Sequence, residues 1–220
     1  MSSAKIESMK PVLLFLLFFL VGLAGVLGYR YWNQPQNIFS TKPDLTTKFS
    51  LEKAPSESLQ GNIATISGTV TWLSRTAAKP VQLKSPRRIQ QGEEFSTGSN
   101  GRAVIRIKND SSLLLSPNTH ISIIQLLPEN FVFVQDQGSV HYENTIQVPV
   151  SVRSYDLVTI ITKGIVTLSV NPKEKVVSVS VEKGIIKEGY EDLQNTSNVV
   201  TVNEGQTFLF NETLRTGMIQ

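Results

Sequence analysis

Residues 102–108 read Arg-Ala-Val-Ile-Arg-Ile-Lys, and this stretch decides the fold class of the chain. Ala103, Ile105 and Ile107 occupy every second position, and three of the four positions around them are basic. Successive side chains of a β-strand point to opposite faces of its sheet. The alternation therefore predicts a strand with one face in a core and the other face in water.

The same two-residue alternation recurs through the rest of the chain. It is found at Phe131/Phe133, Val148/Val150/Val152, Val166/Leu168/Val170, Val177/Val179/Val181 and Phe208/Phe210. Residues typical of turns separate these segments, at Gly92, Gly98, Gly101, Asn109-Asp110, Pro117-Asn118, Gly138, Gly164, Asn171-Pro172, Gly184, Gly189 and Gly205. No window between residues 63 and 210 carries a helical period. We expect an all-β, antiparallel domain, sandwich or barrel-like, over residues 63–212, with a hairpin over residues 165–181.

The N-terminal part has a different character. Residues 11–29 hold no charged side chain, and as a helix they would reach about 28 Å, enough to cross a bilayer. Lys5 and Lys10 precede them, and the positive-inside tendency places residues 1–10 in the cytoplasm and the C-terminus outside. The pattern predicts one transmembrane anchor over residues 11–29. The alternative is a cleaved signal peptide, for which Val-Leu-Gly at residues 26–28 offers a cleavage site.

Between the anchor and the domain, residues 30–62 contain Pro35, Pro43 and Pro55 among polar residues and show no sustained apolar period. Such composition is typical of an extended spacer. We expect residues 30–62 to be an extracytoplasmic linker and residues 213–220 to be a C-terminal tail. The chain would then be a single-pass protein of a bacterial cytoplasmic (inner) membrane, with its β domain in the periplasm or otherwise outside the cytoplasm.

Composition excludes several kinds of chemistry. The 220 residues include no cysteine, so disulfides, thiolate nucleophiles, iron–sulfur clusters and cysteine-based zinc sites are ruled out. A net charge of +3 without a large basic cluster argues against nucleic acid as a partner. Lys84, Arg87 and Arg88 form the one local basic group, and because Pro86 interrupts it we expect a solvated loop there.

From Gly92 to His120 the order of residues resembles the FecR domain, a β-rich periplasmic module. A glycine-led strand, Gly-Thr-Val-Thr-Trp at residues 68–72, precedes Gly-Glu-Glu-Phe-Ser-Thr-Gly at residues 92–98, the strand at residues 102–107, and a turn and strand at residues 110–119. The chain departs from the family in having Glu94 where Asp is usual, and Asp110-Ser111-Ser112 where Asp-Gly-Ser is usual.

The later half is similar to the same family, in the strand pair at residues 164–170 and 177–184 and in the closing Glu204-Gly205-Gln206. The resemblance covers residues 66–210. The glycines of the pattern suit positive-φ or closely packed positions, and Thr97 and Asn118 can bond local backbone, so we expect these residues to be structural.

The resemblance implies a domain that binds another protein. The best-known relatives are sensor regulators, which detect a loaded outer-membrane transporter and control a sigma factor through a cytoplasmic domain. The ten residues that precede the predicted anchor are too few for such a domain. If the chain signals, we expect it to do so through another membrane partner.

Candidates for chemistry are few. His141 and Glu143 lie two apart on a predicted strand and share a face, and His120 could complete a metal site, but nothing else in the sequence suggests matched ligand geometry. No nucleophile elbow, phosphate loop or dinucleotide fingerprint occurs. We therefore predict no catalytic, cofactor-binding or metal-binding residues and no cofactor. Four aromatic residues could stack on cell-wall sugars if they cluster: Trp72, Tyr142, Tyr155 and Tyr190.

Three functions follow from these observations. The first is a non-enzymatic envelope protein whose β domain binds a protein partner as sensor, adaptor or scaffold, through strand edges or loops. The second is a module that binds peptidoglycan or another carbohydrate, which requires aromatic residues clustered on one exposed face. The third is a hydrolase of unrecognised type, which requires a concave site around a perturbed acid or base.

Overall fold

A computed structural model of the chain describes residues 61–107, 111–127 and 129–220. These residues form fifteen β-strands. The strands are β1 Gly61–Ser67, β2 Val70–Leu73, β3 Val81–Gln82, β4 Arg87–Ile89, β5 Glu94–Thr97, β6 Arg102–Ile107, β7 Ser111–Leu115, β8 His120–Leu127, β9 Asn130–Asn144, β10 Val150–Ser154, β11 Leu157–Asn171, β12 Val176–Glu191, β13 Ser197–Asn203, β14 Thr207–Asn211 and β15 Thr216–Ile219. The all-β prediction is confirmed for this part of the chain.

The described part of the chain contains no helix that is long and apolar enough to span a membrane. The predicted anchor at residues 11–29, and the linker up to residue 60, lie outside the described residues.

Alternation of side chains along the strands builds the core. In β6, Ala103, Ile105 and Ile107 are buried while Arg102 and Arg106 face solvent, as the sequence predicts. The alternating pairs and triplets of the later strands are buried in the same way, except Val148, which is half-buried against the core. The predicted hairpin forms between β11 and β12, which pair from Gly164 to Asn171 around a four-residue turn. Fully burying one such aliphatic side chain contributes about 1.5–3 kcal/mol, and this common core holds the strands together.

Three long strands organise the sheet, because each belongs to two layers. The end of β9 pairs with β7 and β11, whereas its beginning pairs with β8 and β10. Likewise β11 and β12 pair with different neighbours on either side of Gly164 and Gly184. Hydrogen bonding is therefore continuous through one folded sheet, in which strands change layer at bends.

The pairings define two layers. Layer 1 runs in the order β4, β1, β6, β7, β9, β11, β12, β14, β15, and layer 2 runs β3, β2, β5, β8, β9, β10, β11, β12, β13. The layers pack against each other. The ring of Tyr190 on layer 2 lies 5.2 Å from that of Phe210 and 6.1 Å from that of Phe208 on layer 1. Between the two halves of β9, the hydroxyl of Tyr142 donates to Gln135 Oε1 at 3.0 Å.

The interpretation of four glycines as strand-separating turns is wrong. Gly138, Gly164 and Gly184 lie inside β9, β11 and β12, where the strands bend from one layer to the other. A side chain would not fit there: a Cβ on Gly164 or Gly184 would lie 2.5 Å from a backbone oxygen of the facing strand. Gly189 likewise lies within β12. Close backbone approach, rather than chain reversal, explains Gly138, Gly164 and Gly184, whereas a Cβ on Gly189 would meet only one atom within 4 Å.

The expectation of a purely antiparallel domain needs one correction, because β10 pairs parallel to the beginning of β9. Parallel pairing normally requires a long crossover connection. Here residues 145–149 suffice because β9 bends at Gly138, so the end of this strand returns towards its start. Phe131 N–H donates to the Pro149 carbonyl at 3.0 Å, and Asn144 Nδ2 donates to the Val148 carbonyl at 2.9 Å, which fastens this return.

Both ends of the domain extend beyond the expected limits. Residues 216–219, expected in a C-terminal tail, form β15, which pairs with β14 from Phe208 to Asn211. At the other end β1 begins at Gly61, inside the expected linker. Short terminal strands with few apolar residues carry too weak an alternation to be recognised from sequence.

The motif around Thr97 is structural, as expected. Thr97 Oγ1 donates to the Ser116 carbonyl at 2.6 Å and accepts the backbone N–H of Thr119 at 2.9 Å. Asn118 contributes through its backbone, with φ of 55° and an N–H that donates to the Gly98 carbonyl at 3.1 Å. These bonds hold the turn between β7 and β8 against β5.

Candidate functional site: the outer face and edge of layer 2

The last strand of layer 2, β13, has one free side. Its sequence is Ser-Asn-Val-Val-Thr-Val-Asn, with no charged residue and no proline. Among the described residues it pairs only with β12, from Glu191/Ser197 to Ile185/Asn203. Val199 is 72% exposed, and Ser197, Thr201 and Asn203 are exposed as well. Strand β13 thus presents an unpaired backbone edge together with exposed β-branched side chains.

Pairing across β11, β12 and β13 aligns the outward side chains in rows. One row contains Val158, Gly189 and Val199. A Cβ on Gly189 would meet only one atom within 4 Å, the Val158 carbonyl oxygen at 3.9 Å, so the centre of this row is open. The row is a shallow apolar depression bounded by two valines.

The next rows extend this surface. Ile160, Lys187 and Thr201 are aligned by direct pairing, and Ile185 pairs with Asn203. The exposed fractions of Val158, Ile160 and Ile185 are 37%, 36% and 57%. Apolar side chains exposed together on one sheet face are typical of an interaction surface. We call the outward side of β11, β12 and β13 the outer face of layer 2.

Charged side chains lie within this face as well as at its end, because Lys187 shares the row of Ile160 and Lys163 pairs with Ile185. Lys187 shares a row with Thr201, and Glu191 shares a row with Ser197. Neither forms an ion pair with another residue in the described ranges. Along β12, a positive and a negative residue therefore lie four positions apart, on either side of Gly189.

A carboxyl group lies on the opposite, inward side of the same strand. Glu188 is fully buried, and the hydroxyl of Thr159 on β11 donates to its Oε2 at 2.8 Å. Its Oε1 is buried without a hydrogen-bond partner among the described residues. Burial raises the pKa of Glu188 to about 8, against the smaller, opposing effect of the Thr159 hydrogen bond. This buried carboxyl could not be recognised from the sequence, because an acidic residue on an alternating strand is ordinarily on the outward face.

The residues considered for a metal site are not brought together. His120 Nδ1 lies 3.1 Å from Asp136 Oδ2, whereas His141 Nδ1 lies 3.3 Å from Glu182 Oε1. Glu143 shares the outward face of β9 with His141 but is exposed. Within the described residues no cluster of three or more acidic, histidine or cysteine side chains has a geometry that could hold a metal ion.

The four aromatic residues do not form a shared platform. Tyr142 is buried in the core, Trp72 lies on β2 beneath the Arg87 guanidinium, and Tyr190 packs on phenylalanines of β14. Tyr155 lies in the β10–β11 turn at a φ of 55°. Each of these four residues packs or turns in a different part of the fold, so they do not form a cluster of exposed rings that could stack on a sugar chain.

The interpretation of the basic group as a solvated loop is wrong for Arg87. This residue lies in β4, its guanidinium sits 3.5 Å from the centre of the Trp72 ring, and its Nη2 donates to Glu93 Oε1 at 3.3 Å. Glu93 is only 2% exposed, so Arg87 compensates a buried carboxylate. Lys84 and Arg88 are exposed, as expected. The arginine therefore stabilises the fold.

Comparison with known proteins identifies a shared fold. Two crystal structures of a proposed anti-sigma factor from Parabacteroides distasonis, at 2.50 and 1.65 Å resolution, are similar to this chain. Each superposes with a TM-score of 0.50 at 12% sequence identity. The matched region spans 58% of this chain and 58% of the other, so the likeness concerns a domain rather than the whole protein.

Sequence comparison adds no assignment. No protein-family profile matches the chain. No curated protein sequence matches it either. The fold is therefore the level at which the chain is similar to known proteins.

Proposed function

We propose that this chain is a non-enzymatic, FecR-like protein of the bacterial cell envelope, anchored in the cytoplasmic membrane by residues 11–29. Its β domain lies outside the cytoplasm and binds a protein partner as a sensor, adaptor or scaffold. The observation that carries the proposal is the outer face of layer 2, where apolar side chains of three neighbouring strands are exposed together.

The shared fold supports this proposal. The similar crystal structures are described as those of a proposed anti-sigma factor, a class of protein that acts by binding another protein. The order of glycines and strands that resembles the FecR domain falls within the same β domain. A protein-binding role uses the features that the domain offers, which are an apolar sheet face and an open strand edge.

The charge arrangement also fits a protein partner. Lys187 lies among the apolar rows and Glu191 lies at their end, and charges beside an apolar surface select a partner and its orientation rather than provide most of the affinity. A sugar chain would instead require exposed rings, and a hydrolase would require a group placed to act on a substrate. Glu188, the one described acid whose pKa is strongly raised, points into the core of the protein.

Photo-crosslinking in intact cells tests the proposal. A photoreactive residue is placed in turn at exposed positions between residues 61 and 219 of the full chain, and captured material is identified by mass spectrometry while the cell-wall fraction is assayed in parallel. We expect capture of a membrane or outer-membrane protein, concentrated at positions on the outer face of layer 2. Capture of wall material alone would replace the proposal with carbohydrate binding.

A further inference from the structure

We propose that the outward side of β4, β1 and β6 docks on the anionic phospholipid headgroups of the membrane in which the chain is anchored. We call this surface the arginine face, and its outward side chains include Arg88, Asn62, Arg102, Val104 and Arg106. The inference rests on the anchor of the proposed function. It concerns layer 1, whereas the surface proposed to bind a protein belongs to layer 2.

Strand pairing brings three arginines onto one face. Asn62 pairs with Arg88 on one side and with Arg106 on the other, so these residues form one row. Neighbouring strands are about 4.8 Å apart, so the Cα atoms of the two arginines lie about 10 Å apart with the short Asn62 side chain between them. Arg102 lies on the same face of β6, paired with Ser67. All three arginines are exposed.

The positive charge of the arginine face is not neutralised within the fold. Strands β1, β4 and β6 contain no acidic residue. None of the three arginines forms an ion pair with another residue in the described ranges. The first acid along the row is Glu143 on β9, which lies beyond Ser112 and accepts the hydroxyl of that serine at 3.4 Å. The three guanidinium groups are therefore available to an external anion.

Aliphatic side chains lie beside the arginines. Val104 lies between Arg102 and Arg106 on β6 and pairs with Leu114 of β7, which is 38% exposed. Guanidinium groups bind phosphate oxygens through paired hydrogen bonds. Exposed aliphatic side chains gain from entering the boundary between headgroups and acyl chains. This combination on an open sheet face suits a lipid surface better than a free phosphate ion, which offers nothing to Val104 or Leu114.

The arginine row lies where the chain enters the domain. Strand β1 begins at Gly61, and Asn62 is the next residue, so the segment from the predicted anchor joins the domain beside this row. Each arginine near an anionic membrane surface raises the affinity about fivefold. Such modest gains matter in an anchored chain, because the tether makes docking intramolecular and keeps the domain at a high local concentration near the lipid.

Fluorescence quenching in the full chain tests the inference, because the chain has no cysteine and a single one can be labelled. T65C carries a fluorophore on β1, since Thr65 is exposed on the arginine face and its replacement removes none of the charges. T201C on β13 is the matched control, because Thr201 is an exposed threonine of layer 2. The labelled chains are placed in nanodiscs of phosphatidylcholine, or of an equal mixture with phosphatidylglycerol, each with a trace of lipid that carries a quenching nitroxide on its headgroup.

We expect stronger quenching of the T65C label in the discs with phosphatidylglycerol, and no such difference for T201C. High salt should remove the excess quenching. R88Q combined with R106Q should lower the docking equilibrium constant about tenfold to thirtyfold. R153Q combined with K173Q removes the same charge from exposed positions outside the arginine face and should leave this constant unchanged.

Equal quenching of T65C in both lipid mixtures would overturn the inference, as would excess quenching that survives R88Q combined with R106Q. Loss of the excess quenching on adding inorganic phosphate at constant ionic strength would show that the arginines bind the free ion instead, and would overturn it too. A chain that does not co-purify with either disc would contradict the anchor and the inference together. A chain that co-purifies without lipid-dependent quenching would contradict the inference alone, and protein capture at the outer face of layer 2 would be unaffected.

Discussion

Raising the pH should destabilise the folded domain through Glu188. Below its ordinary pKa of 4.5, the carboxyl is neutral in both the folded and the unfolded chain, and the folded state pays no ionisation penalty. Between pH 4.5 and about 8 the unfolded chain loses the proton while the folded domain retains it. The folded state then binds more protons, so the free energy of unfolding falls as pH rises.

The magnitude follows from the structure. A difference of one in pKa corresponds to about 1.4 kcal/mol, so the decline between pH 5 and pH 8 approaches about 4 kcal/mol if Glu188 stays buried. The decline is complete above about pH 8, where both states are ionised. The ionised form of Glu188 is poorly stabilised in the folded domain, because its buried Oε1 has no hydrogen-bond partner among the described residues.

The assay is urea unfolding of the full chain in mild detergent, followed by far-ultraviolet circular dichroism at pH 5, 6, 7 and 8. In E188Q the amide cannot ionise, and Thr159 retains a carbonyl acceptor, so the part of the pH slope due to this site should disappear. E174Q is the matched control, because Glu174 lies in the exposed β11–β12 turn. Parallel pH profiles for E188Q and the unsubstituted protein would refute the reasoning.

Two further predictions concern stability. R87A should lower the free energy of unfolding by about 2–4 kcal/mol, because it leaves the buried Glu93 carboxylate without its cation. R88A should change this free energy by less than about 0.5 kcal/mol. Thermal unfolding of both variants measures the difference, and equal effects would contradict the prediction. G184A should destabilise the domain more than G205A, because both glycines have positive φ but only at Gly184 would a Cβ meet a backbone oxygen at 2.5 Å. In urea unfolding, G205A should lower the free energy of unfolding by only about 1 kcal/mol. A larger decrease for G205A than for G184A would show that the space around the Cβ is not the deciding factor.

Much of the fold could be predicted because alternation is a direct consequence of strand geometry. The inward faces of β6, β11 and β12 are those that the sequence indicates. The layer changes could not be predicted, because a glycine that allows two backbones to approach has the same appearance in sequence as a glycine in a turn. Gly164 and Gly184 are such residues, and their role depends on strands that meet only in the folded sheet.

The candidate site was less accessible to sequence reasoning. In β11 the run Leu-Val-Thr-Ile-Ile is apolar on both faces, and periodicity alone cannot tell an exposed Val158 or Ile160 from a buried one. The edge position of β13 depends on pairing between distant segments. The neutral, proline-free sequence of β13 was visible, but it marks an open edge only after its one described neighbour, β12, is known.

The central claim, that the outer face of layer 2 binds a protein, is tested most directly by comparing two photo-crosslinking positions in intact cells. Ile160 lies on this face, and Leu114 lies on β7 in layer 1 with nearly the same exposure, 36% against 38%. We predict that a probe at Ile160 captures a specific membrane or outer-membrane protein and that a probe at Leu114 does not. Equal capture at both positions, or capture of cell-wall material alone at Ile160, would contradict it.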